Sequence, residues 1–259
     1  MRVTILGSGS RGNATLVEAE GRRVLVDAGV PVGALRERLT AVFGHLPTID
    51  GVVVTHAHGD HAAHAAATSR LLEAPVYVTE ATRRSLRLHR AWSVRVFGAD
   101  APFDVRGLGV RPLPVPHDAP QVALVLEGGG ERVGIATDLG DTPRPLARHF
   151  AGCGAVLIEA NHDPRLLQIG PYPPSIKQRV GGPTGHLANE QTARFLRELG
   201  PELATVVLLH VSEANNRPDL ALRPTTEALS GRRVALHLAD ADQPLQVLAR
   251  RRGQLPLPL

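Results

Sequence analysis

Seven residues, Thr55-His56-Ala57-His58-Gly59-Asp60-His61, carry three imidazoles and one carboxylate and follow directly on the apolar run Gly51-Val52-Val53-Val54. Neutral imidazole and ionised carboxylate are ligands for divalent zinc, manganese or iron, and side chains two apart at a strand end can turn toward one ion. An isolated His-x-His would read as a polar loop after a core strand. Four ligand-type side chains around one glycine read as a metal site. Such a site constrains the fold, because an ion needs ligands from distant segments to hold its geometry. Several strands must therefore end at one rim.

Ligand-type residues recur after later apolar runs. His117 follows the run 110–116, Asp138 the run 133–137, Glu159 the run 155–158 and His210 the run 206–209. Short β-branched runs bounded by Gly, Pro and Asp are strand signals, and loops at strand ends carry function on a rigid scaffold. With the first motif these residues make a set of nitrogen and oxygen groups without a thiolate, which suits a metal site that keeps a position open for water.

The order His-x-His-x-Asp-His, then a lone His, a lone Asp and a late His, resembles the metallo-β-lactamase superfamily of binuclear metallohydrolases. Other segments look like its YycJ/WalJ subfamily: Gly7-Ser8-Gly9-Ser10-Arg11-Gly12-Asn13, Val26-Asp27-Ala28-Gly29, Thr137-Asp138-Leu139-Gly140, Glu159-Ala160-Asn161-His162-Asp163, Gly185-His186-Leu187-Ala188-Asn189 and His210-Val211-Ser212-Glu213-Ala214-Asn215-Asn216. The resemblance implies a four-layer αββα sandwich in the α/β (α+β) class. It implies two divalent metals, zinc first with manganese or iron as alternatives. His56, His58 and His117 would hold one ion, Asp60, His61 and His210 the other, with Asp138 bridging. The activity implied is metal-dependent 5′-3′ exonuclease cleavage of DNA by a metal-bridging hydroxide, with RNA as a second nucleic-acid substrate.

The segment around His186 bears on substrate class. The tRNA 3′-end-processing nucleases and phosphodiesterases of the superfamily have a similar element whose non-ligand histidine pairs with a glutamate on the preceding strand. Here those residues would be His186 and Glu159. A carboxylate beside imidazole keeps it cationic, able to clamp a phosphoryl oxygen or protonate a leaving alkoxide. The plainer reading makes His186 a polar residue before a helix and Glu159 its buried partner. Ala188 stands where a small hydroxyl residue is expected, which removes one donor to phosphate.

Gly7-Ser8-Gly9-Ser10-Arg11-Gly12 also matches the dinucleotide fingerprint Gly-x-Gly-x-x-Gly, with Asp27 at the distance of a ribose-binding acid. The context is wrong. The runs 14–19 and 22–27, broken at Glu20-Gly21, form a β-hairpin and leave no room for a crossover helix. The loop is a structural turn or brings backbone N–H groups and Asn13 to the site. Asp27 reads as a support for metal ligands.

Among 259 residues, 43% are hydrophobic, which suits a core of domain size, and residues 1–259 are expected to form one two-sheet domain with a short basic, proline-containing tail from Arg250. No run of 18 apolar residues and no charged-then-apolar leader is present, so a cytoplasmic protein without membrane contact is expected. The single Cys153 cannot form an internal disulfide. A net charge of +4 is too mild to demonstrate nucleic-acid binding. Lys177 and Arg179 are placed to meet a substrate backbone, and Arg83, Arg84, Arg87 and Arg90 could share a helical face, as a phosphate-seeking stripe or a solvated surface.

Expected helices cover about 33–41, 60–72, 81–89 and 189–199, and the last strand lies near 234–238. Residues 164–185, with Pro171, Pro173 and Pro174 among them, form the one sizeable candidate for a substrate-facing loop. The 20 residues between His117 and Asp138 exclude the long arm of the tRNA-processing relatives, and the 71 between Asp138 and His210 exclude the inserted domain of the β-CASP relatives. His64, Asp118, His162 and Asp163 border the motifs without fitting a ligand slot. Two other functions stay open: hydrolysis of a small thioester, lactone, lactam or cyclic phosphodiester, and metal-binding regulation without catalysis.

Overall fold

Short β-branched runs punctuated by Gly, Pro and Asp become the strands of two sheets. The computed structural model describes residues 1–249. Its first half comprises β1 (Arg2–Gly7), β2 (Ala14–Ala19), β3 (Arg22–Val26), α1 (Val32–Phe43), β4 (Gly51–Val53), α2 (Gly59–Ala62), α3 (Ala65–Leu72), β5 (Val76–Thr79), α4 (Glu80–Ser85) and β6 (Val94–Phe97). The remainder comprises β7 (Phe103–Val105), β8 (Leu108–Val115), β9 (Gln121–Gly128), β10 (Glu131–Ala136), α5 (Arg144–His149), β11 (Ala155–Glu159), α6 (Pro164–Ile169), α7 (Pro174–Val180), α8 (Asn189–Glu198), β12 (Thr205–Leu209), α9 (Pro218–Ala228), β13 (Ala235–Leu238) and β14 (Leu245–Leu248).

The strands form two seven-stranded sheets, β14-β1-β2-β3-β4-β5-β6 and β13-β12-β11-β10-β9-β8-β7. Alternation along each strand explains the layers. In β9, Val122, Leu124 and Leu126 join Val3, Val24 and Val53 in a core between the sheets. Ala123 and Val125 of the same strand face outward and pack with Phe150, Phe195 and Leu196 from the α5 and α8 side. On the first sheet Leu16, Leu25 and Val52 face outward against Leu35 and Leu39 of α1. Three hydrophobic layers between helices and sheets produce the αββα sandwich the resemblance implied.

Both sheets are antiparallel on one side and parallel on the other. β3 to β6 run parallel, as do β10 to β13. Parallel strands point their carboxyl ends to one rim, where polar loops gather. There Asp27 follows β3, the His56 motif follows β4, Asp138 follows β10 and His210 follows β12.

Several expectations are corrected. The helix expected over 60–72 is two helices, α2 and α3, broken at Ala63-His64. Backbone pinning causes the break: Ala28 N–H donates to His61 O at 2.7 Å, and His64 N–H donates to Ala28 O at 3.0 Å. The helix expected over 81–89 stops at Ser85, so Arg87 and Arg90 leave the arginine stripe, and Arg83 and Arg84 both bind Glu80. The proline-rich 164–185 loop is largely helical, since Pro164 and Pro174 each occupy a first helical position, where the missing N–H costs nothing. The last described strand is β14, which returns to the first sheet and pairs with β1. The expected tail from Arg250 lies outside the described residues.

Candidate metal centre

Three residues at strand ends turn the chain sharply. Asp27, Asp138 and His210 have φ of 64°, 55° and 51°, in the left-handed region that a side chain other than glycine's seldom adopts. Non-glycine residues held there concentrate at functional sites, where the surrounding structure over-determines them. The turns direct their side chains into one cluster at the rim.

That cluster contains two groups of four. Donor atoms of His56, His58, His117 and Asp138 lie within 4.8 Å of one another, and so do those of Asp60, His61, Asp138 and His210. The groups share Asp138, whose Oδ2 lies 3.4 Å from His56 Nε2 and 3.1 Å from His61 Nε2. His210 Nε2 lies 3.1 Å from Asp60 Oδ2, and His58 Nδ1 lies 3.2 Å from His117 Nε2. A third group joins Asp138 and His210 to Glu159 and His186. There Glu159 Oε1 already accepts from the N–H of Leu139 at 2.6 Å and of Leu187 at 3.2 Å, and Oε2 meets His186 Nδ1 at 3.0 Å. Glu159 is thus committed to the protein.

The residues present fit divalent metal ions. His56 Nε2 and Asp138 Oδ1 are buried and have no hydrogen-bond partner, and buried polar atoms are otherwise nearly always paired. Burial lowers the His56 pKa, with His61 adding to the effect, and pushes His117 down to about 4. Both are neutral imidazoles at pH 7, the ligating form. Burial opposes charge on His61, but Asp138 and Asp27 overcome it and raise its pKa well above the ordinary value. Burial likewise opposes ionisation of Asp138, and His210 and His61 reverse it. The cluster favours positive charge among its carboxylates.

Supporting contacts set the tautomers. Asp27 Oδ2 accepts from His61 Nδ1 at 2.7 Å, which turns Nε2 toward Asp138, while its Oδ1 accepts from Thr55 N–H at 2.8 Å. His117 Nδ1 donates to Gly185 O at 3.1 Å and leaves Nε2 for an ion. Replacing such outer partners typically weakens metal affinity about 10–100-fold. Asp27→Asn is expected to show that loss in competition titration against a chelator, with its circular dichroism unchanged.

The N-terminal glycine loop packs under the motif. Asn13 N–H donates to Asp60 O at 2.7 Å, and its Nδ2 lies 3.0 Å from His61 Nε2 and 3.5 Å from Asp60 Oδ2. Gly29 is required for this approach, because a Cβ there would stand 1.7 Å from Asp60 O. Gly29→Ala is expected to destabilise the fold by about 1–3 kcal/mol or more, as overpacking does. A denaturant midpoint equal to that of the unsubstituted protein would contradict this.

Several bordering residues take definite places. Asp118, which sequence reasoning left open, has Oδ1 at 3.2 Å from His58 Nε2 and from His117 Nε2 and is ion-paired through Oδ2 with Arg179. Asn161 was missed: its Nδ2 donates to His210 O at 2.9 Å and lies 3.2 Å from His210 Nδ1. The signal for it was a polar side chain just after a wholly buried strand. Asp163 caps α6, accepting from Arg165 and Leu166 N–H at 2.9 Å, and His64 is the N-cap of α3. Lys177 Nζ donates to Gln168 O at 2.7 Å.

The Beta-lactamase superfamily domain model matches residues 22–211, which include every candidate ligand. The chain belongs to the β-lactamase superfamily. Within this superfamily it is 27% identical to exodeoxyribonuclease YycJ of Bacillus anthracis over 95% of this chain and 98% of that one. It is 29% identical to exodeoxyribonuclease WalJ of Streptococcus pneumoniae serotype 2 over 85% of each. Among solved structures, the metallo-β-lactamase fold protein YhfI from Bacillus subtilis aligns with a TM-score of 0.71 at 17% identity, over 94% of this chain and 98% of that one. That likeness shows the superfamily's fold. No helix among the described residues is long and apolar enough to cross a membrane.

Proposed function

We propose that this chain is a two-metal phosphodiesterase that removes nucleotides from the 5′ end of DNA. The carrying observation is the His186–Glu159 pair, 3.0 Å apart, at the border of two four-residue donor groups that share Asp138. One ion would be held by His56, His58 and His117 and the other by Asp60, His61 and His210, with Asp138 common to both; zinc suits this N/O set, and manganese or iron are alternatives. Divalent ions held there would supply activated water at neutral pH and would neutralise charge on phosphoryl oxygens.

The protein's own residues supply the rest. Burial opposes a proton on His186, yet Glu159 beside it prevails and raises its pKa to about 9. His186 is therefore cationic at pH 7, and its ring stacks on His210 with centroids 5.3 Å apart. Such a cation positions a phosphoryl oxygen and then gives its proton to the departing O3′ as the P–O3′ bond breaks. An acyl substrate has less need of this second cation. Asn13 and Asp60, in contact with each other beside His61, would orient the attacking water and substrate. Arg179, tied to Asp118, would meet the strand near His58 and His117. The YycJ and WalJ relatives, each named an exodeoxyribonuclease, support DNA as the substrate class.

The test is cleavage of 5′-labelled and 3′-labelled duplex DNA with added manganese or zinc. Metal-dependent release of short products from the 5′ label is expected. Release from the 3′ label alone would reverse the polarity, and inert DNA with turnover of thioesters or lactones would replace the reading.

A further inference from the structure

A groove of about 950 Å³ borders the segment that follows His186 and takes no part in the chemistry above. It runs between α6, α7 and the start of α8, reaching Ala188 two residues beyond His186. Its charged lining is Lys177, Arg194 and Glu190, with Gln168 and Gln178 adding amides. Lys177 is the sole lysine of the sequence. Its ammonium has three donors, and the bond to Gln168 O uses one of them.

His162 also lines this groove. It is only 3% exposed, and its Nδ1 is buried without a hydrogen-bond partner. The backbone holds the ring in place, since Asn189 N–H donates to His162 O at 3.0 Å and His162 forms a β-bridge with Ala188. Buried side-chain nitrogens are rarely left unpaired, and one at the edge of an open groove is a position where a bound group can complete the pairing. Glu190 opposes an anion, but the two cations outnumber it. Cations with amide donors around a groove suit the phosphate and base of a nucleotide.

Position identifies which nucleotide. The groove meets the rim of the metal centre where His162 and Ala188 pair, in the segment that carries His186. In cleavage from the 5′ end the piece released at that rim is the terminal nucleotide. Resting on the nuclease reading above, we propose that this groove receives the departing 5′-terminal nucleotide and binds its 5′-phosphate through Lys177, Arg194 and His162.

The experiment has a binding arm and a cleavage arm. Thymidine 5′-monophosphate is titrated by calorimetry into the metal-loaded full chain and into Lys177→Ala, Arg194→Ala and His162→Gln, with thymidine as the uncharged control. Removing a charged partner is expected to weaken nucleotide binding about tenfold or more, with thymidine binding little changed. In the cleavage arm, 5′-phosphorylated DNA is expected to have a higher kcat/KM than 5′-hydroxyl DNA, and Lys177→Ala with Arg194→Ala combined should bring the ratio near one. Equal nucleotide affinity in all four proteins would place the phosphate on the metals and overturn the proposal, as would no binding at all. A 5′-phosphate preference that survives the double substitution would overturn it too. Groove-dependent binding without any DNA cleavage would uphold the groove and sink the nuclease reading instead.

Discussion

Replacing Asp138 is expected to abolish turnover and remove bound metal together. This carboxylate is common to both four-residue groups, lies 1% exposed, and has one oxygen with no hydrogen-bond partner. Without its charge, His56, His61 and His210 lose the anion they surround, and two nearby cations would repel each other unrelieved. Alanine would also be strained at φ 55°, whereas asparagine tolerates that region. Asp138→Asn therefore isolates the charge from the backbone. Phosphodiester turnover by Asp138→Asn is expected to fall by about a thousandfold or more, the equivalent of several kcal/mol of lost charge stabilisation. Elemental analysis of the same preparation should show metal content well below that of the unsubstituted protein. Full metal content with near-normal turnover would remove Asp138 from the centre of the site.

The second large effect falls on His186 and Glu159. Loss of a general acid typically costs about 10²–10⁴-fold, so His186→Gln should lower kcat by that much while metal content is retained. The pH profile carries the sign. The His186 pKa is raised to about 9, so the cationic form exists below that pH and is lost above it. Activity should show an alkaline limb no higher than about 9, because bound cations oppose the proton. Glu159→Gln removes the carboxylate that holds the proton while burial remains, so its limb should move to lower pH. The ion pair's contribution to stability follows the same sign: full below the ordinary imidazole pKa and lost as pH rises through about 9. An alkaline limb at the same pH in Glu159→Gln would separate the limb from this pair.

The candidate site was legible because metal chemistry restricts residue type. His56, His58, Asp60 and His61 stand within six residues, and the other ligand-type side chains follow apolar runs that become β8, β10 and β12. Asn161 and Asp118 were not assigned, since their roles consist of contacts to His210, His58 and His117 made across the fold. The same limit applied to helix ends. The break between α2 and α3 comes from hydrogen bonds to Ala28, more than thirty residues earlier in the chain, and no local signal announces it. Residues 164–185 looked irregular for their prolines, yet two of these start helices.

The sequence by itself determined the ligand chemistry and the apolar runs whose ends carry it, while the sandwich and the pairing of His186 with Glu159 came through its resemblance to the metallo-β-lactamase superfamily. Periodicity and ligand type are properties of neighbouring residues and survive without coordinates. Only the tertiary structure decided that Asp138 serves both donor groups, that Asp27, Asp138 and His210 turn through left-handed conformations, and that His162 borders a cationic groove. Those features arise where separate strands end at one rim, and their geometry is a product of packing between segments far apart in the chain.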